Sequence, residues 1–249
     1  MIEDTVRQEL RSVAAKPLRL ARGQPPPLEN GDHLTRAEFE RRYWAMPGVK
    51  KAELIEGVVH MPTPVRYRSH GYPHTDIIWW LKTYCIATPG VGMADNASVR
   101  LDLENELQPD ALLRLEPAAG GQSRISEDDI VEGAPELVVE IAATSSSADL
   151  HSKLRVYRRN GVKEYVVWRV LDQELDWFAL GEEEPVRLEA DEAGVICSQA
   201  FPGLCLAVRA LLQGDLNAVL SEVQKGLQTP EHAAFVKRLG EAAKEPHNA

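Results

Sequence analysis

Glu136-Leu137-Val138-Val139-Glu140-Ile141-Ala142 is an apolar run, partly β-branched, with one carboxylate set inside it. Its length and composition predict a buried β-strand. Charges are rarely left unpaired in such a place, so Glu140 calls for a cation. Upstream, Gln108-Pro109-Asp110 precedes the apolar run Ala111-Leu112-Leu113. Pro109 can open a second strand and fix Asp110 at its very beginning. Successive strands tend to lie side by side. If these two are neighbours, Asp110 and Glu140 converge on one divalent metal, and hard oxygen ligands suit Mg²⁺ or Mn²⁺ rather than zinc.

Downstream, Ser145 to Ser147 can cap a helix that Asn160-Gly161 stops. Leu150, Leu154 and Tyr157 line one face of it. Lys153 shares that face, three residues from Leu150 and four from Tyr157. Beside a metal, such an amine could orient an attacking water and offset charge developing on phosphoryl oxygens, while the metal lowers the pKa of that water. The expected reaction is hydrolysis of a phosphodiester. Plainer readings stand beside this one. Asp110 could cap a turn after Pro109. Glu140 could face solvent or pair with an arginine. Lys153 could pair with Asp149 on the helix surface, an interaction worth about 0.3 to 0.5 kcal/mol.

The rest of the chain reads as mixed α/β. Thr35 and Glu38 form a capping box ahead of a helix ending at Pro47-Gly48. A strand is expected over 53–60, with Glu53 and Glu56 on opposite faces. A helix with Pro73 in its first turn runs to Pro89-Gly90. His74 lies on its apolar side, where a histidine is more often a hydrogen-bonded core residue. Strands follow over 97–103 and 111–115, then a polar loop over 120–133. Residues 163–170 and 174–180 form a hairpin, with weaker strands near 186–189 and 195–198. Three parts are expected: a leader or linker over 1–30 containing Pro25-Pro26-Pro27, a core domain over 31–206, and a C-terminal helical extension over 207–249. Arg155, Arg158, Arg159 and Lys163 make a basic cluster that could touch a phosphate backbone or could be a solvated helix face. The tryptophans read as packing. Gly120-Gly121 lacks the surroundings of a phosphate cradle.

The 44% hydrophobic content suffices for a core. No window resembles a membrane span or a secretory leader, so a cytoplasmic protein with no membrane partner is expected. Cys85, Cys197 and Cys205, odd in number and scattered, read as reduced core residues. The net charge of −10, from 28 Lys+Arg against 38 Asp+Glu, builds in no long-range attraction to nucleic acid. It counts less against a nuclease, which can use a local basic patch and its metal.

In order, Glu53-Leu54-Ile55-Glu56-Gly57, a helix with His74, Gln108-Pro109-Asp110, Glu136 to Ile141, Lys153-Leu154-Arg155-Val156-Tyr157 and Gly161-Val162-Lys163-Glu164-Tyr165 resemble the Uma-two family of restriction endonucleases, within the PD-(D/E)XK nuclease superfamily. The resemblance spans about residues 35 to 205. It implies a restriction-endonuclease-like core, with a central mixed β-sheet flanked by helices, and a Mg²⁺-dependent endonuclease acting on DNA. Carried across, Asp110 and Glu140 take the metal-ligand places, Lys153 the lysine place and Glu53 an additional acidic place. The superfamily's lysine two residues beyond the strand glutamate is absent, since position 142 is Ala142, and the role moves to Lys153. Nucleases of this superfamily often work as pairs of subunits, which implies a homodimer. Two rivals remain open at this point: a catalytically inactive interaction protein keeping the fold, and a metal-dependent hydrolase of another phosphoester.

Overall fold

The computed structural model describes residues 24–61, 65–143 and 148–244, with side chains described outside 148–150. Most of the expected leader, the Ser145 to Ser147 cap and the Asp149 side chain therefore lie outside the described residues. Helix α1 (Arg36–Trp44), capped by Thr35 as its sequence suggests, leads to strands β1 (Glu53–Ile55) and β2 (Val58–His60). A π-helical turn (Tyr67–Gly71) runs into α2 (Tyr72–Ala87). Next come β3 (Val91–Asp95), β4 (Val99–Asp102), β5 (Asn105–Leu107) and β6 (Ala111–Leu115), then the short β7 (Arg124–Ile125) and β8 (Val131–Glu132), and then β9 (Leu137–Ala142). A π-helical stretch (Ala148–Lys153) opens α3 (Leu154–Arg159), followed by β10 (Glu164–Arg169), β11 (Glu174–Ala179) and β12 (Val186–Arg187). Last are β13 (Val195–Cys197), β14 (Cys205–Ala207), α4 (Val208–Leu212), α5 (Leu216–Leu227) and α6 (Pro230–Ala242).

The central sheet has the order β12-β11-β10-β9-β6-β3. Within this sheet, among the described residues, β9 and β10 are the one parallel pair, and α3 supplies the crossover that such a pair requires. The two runs that carry the acids are neighbours, with Ala111 opposite Val139. One step further along that register, Asp110 stands across from Glu140.

Alternation then decides which face each acid takes. Leu137, Val139, Ile141, Ala111 and Leu113 pack on one face with Trp80 and Trp177. Val138, Ala142 and Leu112 pack on the other with Val156 and Tyr157 of α3. With period two, Asp110 and Glu140 belong to this second face, beneath α3. Val156 and Tyr157 are fully buried there. Each apolar side chain so buried contributes roughly 1.5 to 3 kcal/mol, which fixes the helix over the two acids.

A second sheet, ordered β2-β1-β5-β4-β8-β7, packs its own small core of Phe39, Leu54 and Val59 under α1. Here the structure corrects three expectations. The strand expected over 53–60 is a hairpin, because Glu56 and Gly57 both take positive φ (52° and 75°), as a two-residue primed turn demands. Glu56 therefore sits at an exposed turn, not on the far face of a strand from Glu53. Second, the loop over 120–133 holds the two-residue strands β7 and β8, which pair with each other and join the sheet through β4. Third, Cys197 and Cys205 are not reduced core residues. They face each other across β13 and β14 and form a disulfide, while Cys85 stays free. The eight-residue separation closes only because 205–207 is a strand.

Helices α5 and α6 bury Val219, Val223, Phe235 and Leu239 in the same cluster as Trp80. The approach is close: a Cβ at Gly226 would lie 2.2 Å from the carbonyl oxygen of Gly203. Polar groups in the seam are satisfied, with Trp80 Nε1 donating to the Cys205 carbonyl (3.0 Å) and the Tyr84 hydroxyl to that of Pro202 (3.0 Å).

Candidate active site

Lys153 lies on the last residue of the π-helical stretch, points under α3 and is 4% exposed. Its Nζ donates to Glu140 Oε1 at 2.8 Å and to Glu53 at 3.1 Å. Glu53 reaches this point from β1 of the other sheet, held by the backbone N–H of Gln108 at 2.9 Å. The Tyr157 hydroxyl donates to the same Glu140 oxygen at 3.0 Å. Burial, and then the charges of Glu140 and Glu53, push that phenol well above its ordinary pKa, so it remains a donor. A lysine, a tyrosine and two carboxylates thus share one buried cluster. Its components come from β1, β9 and the helical segment ending in α3, and the helix spacing of Lys153 and Tyr157 ties only those two together.

Asp110 is 3% exposed and fully engaged. Its Oδ2 accepts from the backbone N–H of Ile141 at 2.7 Å, while Oδ1 lies 3.3 Å from His70 Nε2 and 3.4 Å from Lys51 Nζ. Burial alone would raise its pKa. The His70 hydrogen bond, the Lys51 charge, the His70 charge and the Ile141 N–H outweigh that effect and hold the carboxyl well below the usual range. His70 is raised in turn, first through the hydrogen bond to Asp110. Its Nδ1 lies 3.0 Å from the Ile141 carbonyl oxygen. Both ring nitrogens therefore face acceptors, an arrangement that suits the imidazolium. Burial works against charge on Lys51, but Glu140, Asp110 and Glu53 together raise its pKa.

The structure therefore brings Glu53, Glu140 and Lys153 into direct contact, and places Asp110 across the strand pair from Glu140. His74 stands beside the site without touching the acid side chain of Asp110. Its Nε2 lies 2.9 Å from the Asp110 carbonyl oxygen and 3.1 Å from Asp95 Oδ1. Sequence reasoning missed Lys51 and His70, and used Tyr157 only as a packing residue. Two signals were available. Lys51 stands two residues before Glu53, the spacing that returns to the same face of an extended chain. His70 stands four residues before His74, the spacing that stacks side chains on a helix. The basic cluster is largely self-neutralised: Arg155 pairs with Glu56 (3.2 Å), Arg158 with Glu184 (3.3 Å) and Arg159 with Asp102 (3.5 Å).

Among the described residues, no three His, Cys, Asp or Glu side chains are grouped to hold a metal ion. Two carboxylates on facing positions of paired strands are nevertheless a suitable set for Mg²⁺. That ion commonly takes one or two carboxylates and completes its shell with water and substrate phosphate oxygens. Asp110 and Glu140 would hold it, and the amines now near them would turn toward the phosphate.

A mixed sheet flanked by helices, with two acids facing each other across its central strands and a lysine above them, defines a restriction-endonuclease-like fold. The chain belongs to the Uma2 family, described as "Putative restriction endonuclease", whose sequence profile matches residues 36–209. Among solved structures it is similar to "a putative nuclease belonging to DUF820" from Anabaena variabilis, with a TM-score of 0.55 and 12% identity, covering 69% of this chain and 96% of that one. At that identity the likeness is one of fold. No curated protein matches the chain.

Proposed function

We propose that the protein is an endonuclease that hydrolyses phosphodiester bonds, with DNA as substrate, using Mg²⁺ or Mn²⁺ held by Asp110 and Glu140. The observation that carries this reading is the buried Lys153 amine shared by Glu53 and Glu140 on the sheet face that also holds Asp110. A stability role alone is a weak reason to keep such a cluster, because a well-packed apolar replacement is often as stable. The bound cation supplies a water of lowered pKa and a charge for the phosphoryl oxygens. The protein's own residues do the rest. Lys153 donates hydrogen bonds to the attacking water or to a non-bridging phosphate oxygen, and its charge offsets the charge that develops there. Glu53 fixes the direction of that amine. Lys51, held in its cationic form by the surrounding carboxylates, neutralises part of a phosphate entering beside Asp110.

The test is plasmid cleavage in Mg²⁺ or Mn²⁺ by the wild type and by Asp110→Ala, Glu140→Ala and Lys153→Met, each checked for native circular dichroism. Each replacement is expected to lower the rate at least about 100-fold. Calorimetric titration with Mn²⁺ should give binding to the wild type and none to Asp110→Ala. Equal cleavage by all four proteins would identify a contaminant and remove the proposal.

A further inference from the structure

His70 is carried to Asp110 by the turn Tyr67–Gly71, and the outer side of that turn has no role in the site just described. Arg66, Tyr67 and Arg68 are all exposed, Tyr67 at 74%, and Tyr72 at 48%. The two tyrosine rings lie 6.1 Å apart, tilted by 52°. Neither arginine side chain has an ion pair or a hydrogen bond among the described residues, unlike Arg155, Arg158 and Arg159 on α3. No acidic residue occurs between Glu56 and Asp76, in a chain with 38 of them. The segment over 57–75 thus carries only basic charged side chains beside the buried carboxylates.

We infer that this turn is a docking platform for an unpaired stretch of nucleic acid, with Tyr67 and Tyr72 stacking on bases and Arg66 and Arg68 on the flanking phosphates. The inference deepens the proposed function by naming the form of substrate, and it rests on that reading for the placement of the scissile bond. Three observations favour this occupant. The platform is continuous with the site, since Tyr67 and His70 belong to one turn. Its charge matches a phosphate backbone and opposes that of the molecule as a whole. Its aromatic faces are bare, and stacking on such faces is how single strands are gripped without reading their sequence, whereas a duplex offers no free base face. The cleft of about 830 Å³ between the exposed side of α3 and residues 180–182 is a poorer candidate: Glu56 and Glu182 line it among the basic residues, and a phosphate must displace existing ion pairs there.

Fluorescence anisotropy with a labelled oligothymidine and with a duplex of equal length, both in EDTA so that nothing is cut, tests the platform apart from catalysis. The double replacement Tyr67→Ala/Tyr72→Ala should weaken oligothymidine binding about tenfold or more and duplex binding by less than about twofold. Tyr67→Phe/Tyr72→Phe should restore it. Arg66→Ala/Arg68→Ala should weaken oligothymidine binding and flatten its salt dependence by a slope of about 1.4. Unchanged oligothymidine binding by the alanine pair, equal losses for both probes, or no binding by the wild type would overturn the inference. If the tyrosine pair grips oligothymidine while plasmid and oligonucleotide both survive Mg²⁺ and Mn²⁺, the nuclease reading fails alone. If the wild type cuts and the alanine pair binds and cuts single strands equally well, the platform fails alone.

Discussion

Lys153 is the residue on which stability and the proposed chemistry meet. Removing one member of a buried ion pair leaves its partners charged and desolvated, at about 3 to 5 kcal/mol. Lys153→Met should therefore lower the urea midpoint strongly, and adding Glu140→Gln should recover part of that loss while leaving nuclease activity abolished. Recovery of activity with stability would reduce Lys153 to a structural role. His70 gives a pH signature. Its folded pKa is raised above the ordinary value of 6.5, so its stabilisation is complete below that value and is lost as pH rises through the folded pKa. The stability difference between wild type and His70→Gln should be largest near pH 5.5 and smallest near pH 9, by urea melts at each. A constant difference would show that the ring is not held as a cation by Asp110. At this scale Asp110, Glu140 and Lys153 were legible because each is a charge where its neighbours are apolar, and that mismatch is local. Lys51 and His70 were not. Each offered only a spacing to another polar residue, Lys51 to Glu53 and His70 to His74, and only the fold reveals that they point at a buried carboxylate.

The elements that could be read were those whose own burial dictates their pattern. β9 and β10 are covered on both faces and show as apolar runs; α2 announces itself by Pro73 and by Ile77, Ile78, Leu81, Tyr84 and Cys85 at helical spacing. The elements that escaped depend on partners. β5 is Asn105-Glu106-Leu107, polar in sequence yet wholly buried, with Asn105 spent on Asp102 and on the N–H of Glu56. β14 fell between the strand expected near 195–198 and the helix expected from 207, with no element assigned to Cys205 and Leu206, and the disulfide was lost with it. In the chain-entropy account, closing so short a loop contributes about 2.5 kcal/mol. Cys197→Ser/Cys205→Ser, or reduction of the wild type, should lower stability by no more than about that amount and leave plasmid cleavage intact, because β13 and β14 form a separate two-stranded sheet. Loss of cleavage with stability preserved would tie this pair to the site in a way the fold does not suggest.

Across the whole molecule, the stretch matching the family ends at residue 209, but the core does not. Val219, Val223, Phe235 and Leu239 from α5 and α6 seal the face of the central sheet opposite the site, against Trp80 and Leu81. Four buried apolar side chains at roughly 1.5 to 3 kcal/mol each amount to about 6 to 12 kcal/mol. The net stability of a domain is about 5 to 15 kcal/mol. The two figures are comparable, so a chain cut after Arg209 should not survive as a folded unit, whatever remains of its candidate site residues. The cut would also expose Trp80 and Tyr84, which hydrogen-bond into the segment just before it. Expression of residues 24–209 should give a product with no cooperative thermal transition and no near-ultraviolet circular dichroism, while 24–244 melts cooperatively. A cooperative melt from the shorter chain would show that the sheet holds Asp110 and Glu140 in register without its second cover. The C-terminal helices would then be an appendage to the nuclease-like domain, not part of its core.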